Sequence, residues 1–510
     1  MRDKLLGVAV ASIAGLTLLR LAMAGIVELL PEEAYYWTYA QHPAFGYYDH
    51  PPMVAWMISL GTALLGNTEH GVRLVNILLW IGTALALRAT ARIWFGGQIA
   101  NWATILFAVL PIYVGVGFIV TPDGALLFFW TLTLLAISIA LQTDRAGYWL
   151  FAGVTFGYAL LSKYDAVLLA PSLLVFLLVS PRHRVWLRRP QPWIALTIAL
   201  VVFSPVIVWN AQHEWASFVF QSTRSAGTKT NVLAQVTRFW VYQLAILTPV
   251  MFALLAAAAA RAVRRGWLGR DDKWNFVASF SLPLFVLFAL ASLRTDIHIN
   301  WTAPAFLSLT LGAAAMFGDG LDGPRPRRTR LWRVGAWTGI GLCVVVIVLM
   351  HMSVAVGKPK IFAYTRVGGW RSLAEQVMAA QAQLREQTGQ QPFVLGTDKY
   401  NIAAELGFYT GQPENCVNMY AAGQPGLSYR FWTDLERLEG RPAVAVVFRL
   451  RKVTMAELHE HFDRVDEPRT AQIGTHGKRQ RSVLLINCYG YHALPRPTNS
   501  DSTTRERPLD

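Results

Sequence analysis

Several short stretches of this chain hold residue types that could do chemistry, and long apolar runs flank each of them. The first reads Pro31-Glu32-Glu33-Ala34-Tyr35-Tyr36-Trp37 and continues, after a short gap, as Gly46-Tyr47-Tyr48-Asp49-His50-Pro51-Pro52. Two adjacent carboxylates, Glu32 and Glu33, at the end of an apolar run suit proton abstraction at a membrane surface. Tyr35, Tyr36 and Tyr48 offer flat faces to a sugar ring, or sit as an interfacial aromatic belt. A solvated helix end with aromatic anchors would account for the same residues without any chemistry. Asp49 and His50 could also hold a divalent metal ion, although two adjacent ligands make a thin set.

Other connections add to the inventory. Thr121-Pro122-Asp123-Gly124 puts a carboxylate in a tight turn, and Ser162-Lys163-Tyr164-Asp165 puts a cation, suited to a phosphate, at another. Arg294, Asp296 and His298-Ile299-Asn300-Trp301 line a third connection. Arg20 is a charge inside the first apolar run; it either snorkels to the interface or pairs with a lipid phosphate or Glu28.

The elements that must position these groups are membrane helices. The chain has 510 residues, of which 54% are apolar and only 15% charged, whereas soluble proteins carry about 25% charged residues. Apolar runs reach the roughly 20 residues that cross a bilayer. Spans are expected near 5–29, 73–94, 98–119, 124–142, 147–162, 165–180, 193–210, 236–260, 275–292, 301–317 and 334–354, roughly eleven in all. The first run lacks a clear small-residue cleavage site and reads as an anchored span rather than a cleaved signal.

The net charge of +15 suggests a nucleic-acid binder until its placement is examined. It gathers in alternate connections: Arg88 and Arg92; Arg145; Arg182, Arg184, Arg188 and Arg189; Arg261, Arg264, Arg265, Arg270 and Lys273; Arg325, Arg327, Arg328, Arg330 and Arg333. Short basic loops stay in the cytoplasm, so the surplus is a topology signal. No aromatic-interleaved basic groove accompanies it, and no nucleic-acid partner is expected. The N-terminus is then cytoplasmic, and Glu32, Asp123, Lys163 and Arg294 share the opposite face.

With an odd number of spans, everything after 354 lies outside the cytoplasm. There the apolar runs shorten to the strand-like Pro392–Gly396, Ala443–Leu450 and Ser482–Asn487, with helical spacing over Ser372–Glu386 and Ile402–Tyr409. The expected organisation is a membrane domain over 1–354 with a first periplasmic loop at 31–71, an α/β periplasmic domain over 355–491, and a polar, disordered tail over 492–510. Cys416 and Cys488 fall in the exported domain, where a disulfide could persist; Cys343 falls within a span.

The stretch Glu32–Trp56, reading EEAYYW…GYYDHPPMVAW, resembles the first outer loop of bacterial glycosyltransferase family 39, relatives of protein O-mannosyltransferases and lipid A aminoarabinose transferases. TPDGALLFFW at 121–130, LSKYD at 161–165, HINWTAPAF at 298–306 and DKYNIAAELGFYTGQP at 398–413 resemble further family segments in the same order. The resemblance implies a GT-C fold and transfer of a sugar from a polyprenyl phosphate on the periplasmic face of the bacterial inner membrane. The acceptor would be a lipid-linked or exported glycan such as lipid A or lipopolysaccharide, the anomeric centre would invert, and membrane lipids would be the surrounding partners.

The family's loop usually reads Asp-Glu where this chain has Glu32-Glu33, so the catalytic base is assigned to the two jointly. Asp123 aligns with a second-loop acid of the family. Asp49-His50-Pro51-Pro52 stands where aminoarabinose transferases read Glu-Lys-Pro-Pro. His50 thus replaces a cation that would touch the donor phosphate and is charged only part of the time; Lys163, Arg20 or Arg294 would share that role. Tyr35, Tyr36, Tyr48, Asp49 and His298 are expected to contact substrate. Two rival readings are a protein O-mannosyltransferase and a transporter or lipid flippase. The latter class places ionisable groups at mid-membrane and often repeats its halves, whereas here the groups sit at helix ends.

Overall fold

The computed structural model describes residues 2–226, 231–322, 326–356, 368–448, 452–475 and 479–494; most of the expected polar tail, 495–510, lies outside the described residues. The chain divides into two compact units. One comprises Met1–Ala24, His50–Met57 and Arg73–Met352, the other Gly25–Asp49, Ile58–Val72 and Ser353–Asp510. Much of the first loop thus groups with the C-terminal residues.

The larger unit is a bundle of apolar helices around one continuous core. Each segment expected to span is helical, but the spans are not uniform. Lys4–Ala24, Glu69–Phe95, Pro122–Thr143, Gln191–Gln212, Asp272–Ala291 and Val334–Ser353 are long and apolar enough to cross a membrane alone. Ala146–Ser162, Tyr164–Val179 and Ala303–Gly318 are shorter. Two expected spans are bent instead: Gly97–Val109 meets Pro111–Phe118 at 65°, and Val232–Leu247 meets Pro249–Leu268 at 101°. A proline stands at each joint, where its missing N–H and its ring break the preceding turn. At the sharper joint Thr248 has φ 64°, a strained region for a β-branched residue.

A polar face of Glu69–Phe95 supports the first bent pair. Arg73, Asn76 and Trp80 recur at helical spacing on one side. Asn76 Nδ2 donates to the Val116 carbonyl at 2.9 Å and the Ile119 carbonyl at 3.4 Å. The Arg73 guanidinium lies 4.8 Å from the Phe118 ring centre, and the Trp80 ring fills the space that a Cβ on Gly117 would need. Carbonyls at the C-terminal end of Pro111–Phe118 are thereby satisfied inside the bundle, as a membrane requires. Elsewhere Gly153 and Gly157 of Ala146–Ser162 lie against Gln191–Gln212 so closely that a Cβ would come 2.5 Å from the Ala195 carbonyl oxygen and 2.4 Å from the Val202 Cβ.

The second unit carries a mixed sheet: β1 (Phe393–Gly396), β2 (Cys416–Asn418), β3 (Ala443–Val447), β4 (Phe462–Val465), β5 (Arg469–Thr475) and β6 (Arg479–Tyr491). The spatial order is β2-β1-β3-β6-β4, with β5 also on β6. β1 pairs parallel with β2 and β3, and the remaining pairs are antiparallel. Alternation along the strands sends Val394, Val444, Val446 and Leu485 into one core with the helices Trp370–Thr388 and Asn401–Thr410. It sends Phe393, Leu395, Ala445 and Ile486 into another. Because both faces are covered, β1 and β3 read as unbroken apolar runs. Cys416 and Cys488 are both free thiols; they stand on β2 and β6 with β1 and β3 between them, too far apart to bridge.

Candidate active site

In the membrane unit, three connections converge on Asp123. The helix Pro122–Thr143 opens with Pro122 at its first position, which places Asp123 in the first turn, where the helix dipole favours a carboxylate. Gly124 is required beside it: a Cβ there would meet Asn76 Oδ1 at 1.8 Å. Asp123 is 2% exposed and fully engaged. Lys163 Nζ donates to its Oδ1 at 3.0 Å, Asn300 Nδ2 to its Oδ2 at 2.6 Å, and Thr121 Oγ1 to the same oxygen at 3.3 Å.

Lys163 follows the end of Ala146–Ser162 in extended backbone and also pairs with Asp165 at 3.5 Å. Its Nζ lies 5.8 Å from the Trp301 ring centre, and that ring stacks on His298 at 5.3 Å. Lys163 is thus engaged by two carboxylates, Asp123 and Asp165. Asn300, which sequence reasoning passed over within its motif, completes the carboxylate's shell. Nearby in the same connection Asp296 pairs with Arg238 at 2.6 Å. Arg294 and His298 are both exposed, and Arg294 has no ion-pair partner among the described residues.

Arg20 is fully buried in the membrane unit. Its guanidinium lies 3.7 Å over the Trp80 ring, and Nη2 donates to the Val114 carbonyl at 3.3 Å. It is held inside the unit rather than reaching its surface.

In the second unit, the acids of the first loop have separate fates. Glu33 is fully buried at the start of helix Pro31–Gln41, and its Oε2 accepts the Leu30 N–H at 3.0 Å, a capping contact that fixes the first turn. Glu32, its neighbour, is exposed. Asp49 accepts hydrogen bonds from Tyr35 Oη at 3.1 Å and from Tyr39 Oη. Burial, and then the Asp49 charge, push both phenols well above their ordinary pKa, so they stay protonated and donate.

Tyr35, Tyr36, Trp37, Tyr39 and Tyr47 of this loop are core residues, while Phe45 is exposed. Tyr35 and Tyr36 are 2% and 8% exposed; Tyr35 stacks on Tyr400 at 4.3 Å and accepts the Ser428 N–H at 3.3 Å. Tyr39 stacks on Tyr47 at 4.0 Å, and His42 on Trp432 at 4.5 Å. Tyr48 is half-buried, its N–H donating to Ser428 Oγ at 3.3 Å. Tyr409 Oη accepts the Leu29 N–H at 2.7 Å and donates to Glu69 Oε1 at 3.0 Å, while Glu69 also pairs with Arg371. Tyr35 and Tyr36 thus turn their faces to protein rather than to a sugar. No three His, Cys, Asp or Glu side chains gather to hold a metal ion among the described residues. Asp49 is committed to tyrosines instead.

Residues 49–209 match the family model of dolichyl-phosphate-mannose-protein mannosyltransferases. Over 302 residues the chain is 30% identical to the lipid A galacturonosyltransferase RgtD of Rhizobium johnstonii, covering 58% of this chain and 63% of that protein. It is 25% identical over 290 residues to an undecaprenyl phosphate-alpha-4-amino-4-deoxy-L-arabinose arabinosyl transferase of Pseudomonas paraeruginosa, covering 54% of this chain and 51% of that one. The chain thus spans about half to two-thirds of the length of these curated relatives. The crystal structure of ArnT from Cupriavidus metallidurans bound to undecaprenyl phosphate superposes with a TM-score of 0.65 at 15% identity, over 94% of this chain and 98% of that one. The resemblance read from the motifs is borne out.

Proposed function

We propose that this chain, a multi-pass membrane protein with the GT-C glycosyltransferase fold, moves a sugar from a polyprenyl-phosphate carrier to a lipid-linked glycan such as lipid A or lipopolysaccharide. The observation that carries the reading is the buried Asp123, held by Lys163 and Asn300 at the ends of three helical segments, with His298 stacked on the Trp301 ring near Lys163. Such a rigid, charged cluster at helix ends serves chemistry at a membrane surface, whereas transporters concentrate ionisable groups at mid-membrane. The 30% identity with a lipid A galacturonosyltransferase ranks a uronic-acid sugar first and an aminoarabinose second. The relatives named for lipid A and aminoarabinose transfer rank a glycolipid acceptor above a polypeptide.

The roles follow from which acids are exposed and which are buried. Glu32, the exposed acid of the first loop, takes the proton from the acceptor hydroxyl as it attacks the anomeric carbon from the face opposite the phosphate, which inverts that centre. Glu33 holds the first turn that presents it. Asp123 positions its connection through Lys163 and Asn300. In this reading the polar end of the bundle faces the periplasm of a bacterial inner membrane. The test is mass spectrometry of membrane glycolipids from cells with the chain, without it, and with Asp123→Asn. A glycolipid one sugar lighter in the second and third cells is expected, and its mass identifies the sugar. An unchanged glycolipid profile in cells lacking the chain overturns the reading.

A further inference from the structure

The helices Pro122–Thr143, Ala146–Ser162 and Leu169–Val179, with the start of Gln191–Gln212, enclose a 320 Å³ cavity. Its walls are apolar, among them Ile137, Phe156, Leu174, Leu177, Pro192 and Trp193. The single hydroxyl, that of Thr133, is already bonded to the Phe129 carbonyl and Thr155 Oγ1. Three wall residues are open to the surroundings: Pro171, Leu174, which is 44% exposed, and Trp193, which is 53% exposed.

The cavity extends away from Asp123 toward the other end of these helices. It takes Thr133 and Ile137 of Pro122–Thr143 and Trp149 to Phe156 of Ala146–Ser162, whereas Asp123 begins the former and Lys163 follows the latter. At the helical rise its lining begins roughly 10 Å from that pair along the axis and reaches roughly 20 Å from it. Its rim is the basic segment 182–193. There Arg184 donates to the Leu178 carbonyl, and Arg189 pairs with Asp144 and lies over Trp186. Arg182 and Arg188 are exposed and have no ion-pair partner among the described residues. Arg188 stands between the lining residues Leu187 and Pro192.

An apolar slot that opens sideways in a bilayer meets acyl chains rather than water, and an empty slot forfeits its dispersion contacts. A cation at the rim selects an anionic headgroup. We propose that this cavity binds one acyl chain of an acidic phospholipid, with the lipid phosphate held at Arg188, as a site separate from the sugar-transfer chemistry.

The test uses the full chain purified in mild detergent, with phosphatidylglycerol and phosphatidylethanolamine added in equal amounts and retained lipid read by native mass spectrometry. The wild-type chain is expected to retain phosphatidylglycerol preferentially. Arg188→Ala should lower that retention roughly fivefold, the effect of one cation at a charged bilayer surface, and leave phosphatidylethanolamine unchanged. Leu174→Trp, at an exposed wall position, should plug the slot and remove both lipids. Equal retention of both lipids by the wild type, or unchanged phosphatidylglycerol in Arg188→Ala, overturns the proposal. So does loss of added polyprenyl phosphate instead of phospholipid in Leu174→Trp, which would give the cavity to an isoprenoid chain. Arg188 is a surface residue, so its variant decides the question even if the tryptophan variant misfolds.

Discussion

The first loop and the connection around Asp123 are built from the same ingredients, carboxylates beside aromatic rings, and put them to different uses. In the loop, Tyr35, Tyr39, Tyr47 and Trp432 are packed ring on ring, and Asp49 is the acceptor that lets two phenols be buried. Around Asp123 the Trp301 ring, stacked on His298, accompanies an ion pair, and the carboxylate is held by side chains from separate connections. Density of functional groups therefore marks a folding core in the first case. In the second, convergence of isolated groups marks a polar cluster. A buried acid that accepts from neutral phenols specifies packing, whereas one held by a lysine and an amide holds a charge in a fixed place.

The contrast breaks most visibly at Glu32 and Glu33. Glu32→Gln should lower sugar transfer by about 10²–10⁴-fold, the usual weight of a general base, with the thermal midpoint unmoved. Glu33→Gln keeps an oxygen that can accept the Leu30 N–H, and should retain most activity while lowering the midpoint slightly. Transfer assays paired with thermal unfolding check both; the reverse pattern would return the base to Glu33.

A smaller effect separates packing from chemistry at Asp49. Asp49→Ala leaves the Tyr35 and Tyr39 hydroxyls buried without this acceptor, at about 1–3 kcal/mol for each group left unsatisfied. The expected result is a lower midpoint of unfolding, with the KM for donor unchanged in whatever fraction stays folded. A raised KM at constant stability would make Asp49 a substrate contact.

The smallest effect is a pH dependence within the aromatic core. Burial lowers the His42 pKa below its ordinary 6.5, and Glu414 opposes the shift. The folded state therefore holds a neutral ring while the unfolded chain takes up a proton. Stability is full above pH 6.5 and falls as pH drops through that value toward the depressed folded one. His42→Phe should flatten the slope of unfolding midpoint against pH between about 5.5 and 7.

Much of the fold was legible because apolar runs and their period report burial. The strands at 393–396, 443–447 and 479–491 and the helices at 370–388 and 401–410 overlap the segments where short apolar runs and helical spacing put them. The misses have physical causes. β2 is three residues long, β4 reads Phe-Asp-Arg-Val, and β5 carries an arginine and a glutamine, because edge and half-exposed strands need little apolar signal. The bends at Pro111 and Pro249 were signalled by the prolines themselves, yet an apolar run of sufficient length masks them. At the site, Asp123, Lys163 and Asn300 were visible as residues, but their mutual contacts join positions up to 177 apart in sequence. The capping role of Glu33 had a local signature, a proline followed two residues later by a glutamate.

Gly153 and Gly157 bear on how such a body holds together. Lipid tails are as apolar as leucine, so no gain in dryness glues one span to the next. What remains is nearness, and nearness is granted by what is missing. Where two hydrogens stand in place of side chains, the backbones of Ala146–Ser162 and Gln191–Gln212 can touch along their length. In a chain rich in bulky apolar residues, part of the adhesion is supplied by two that have no side chain at all.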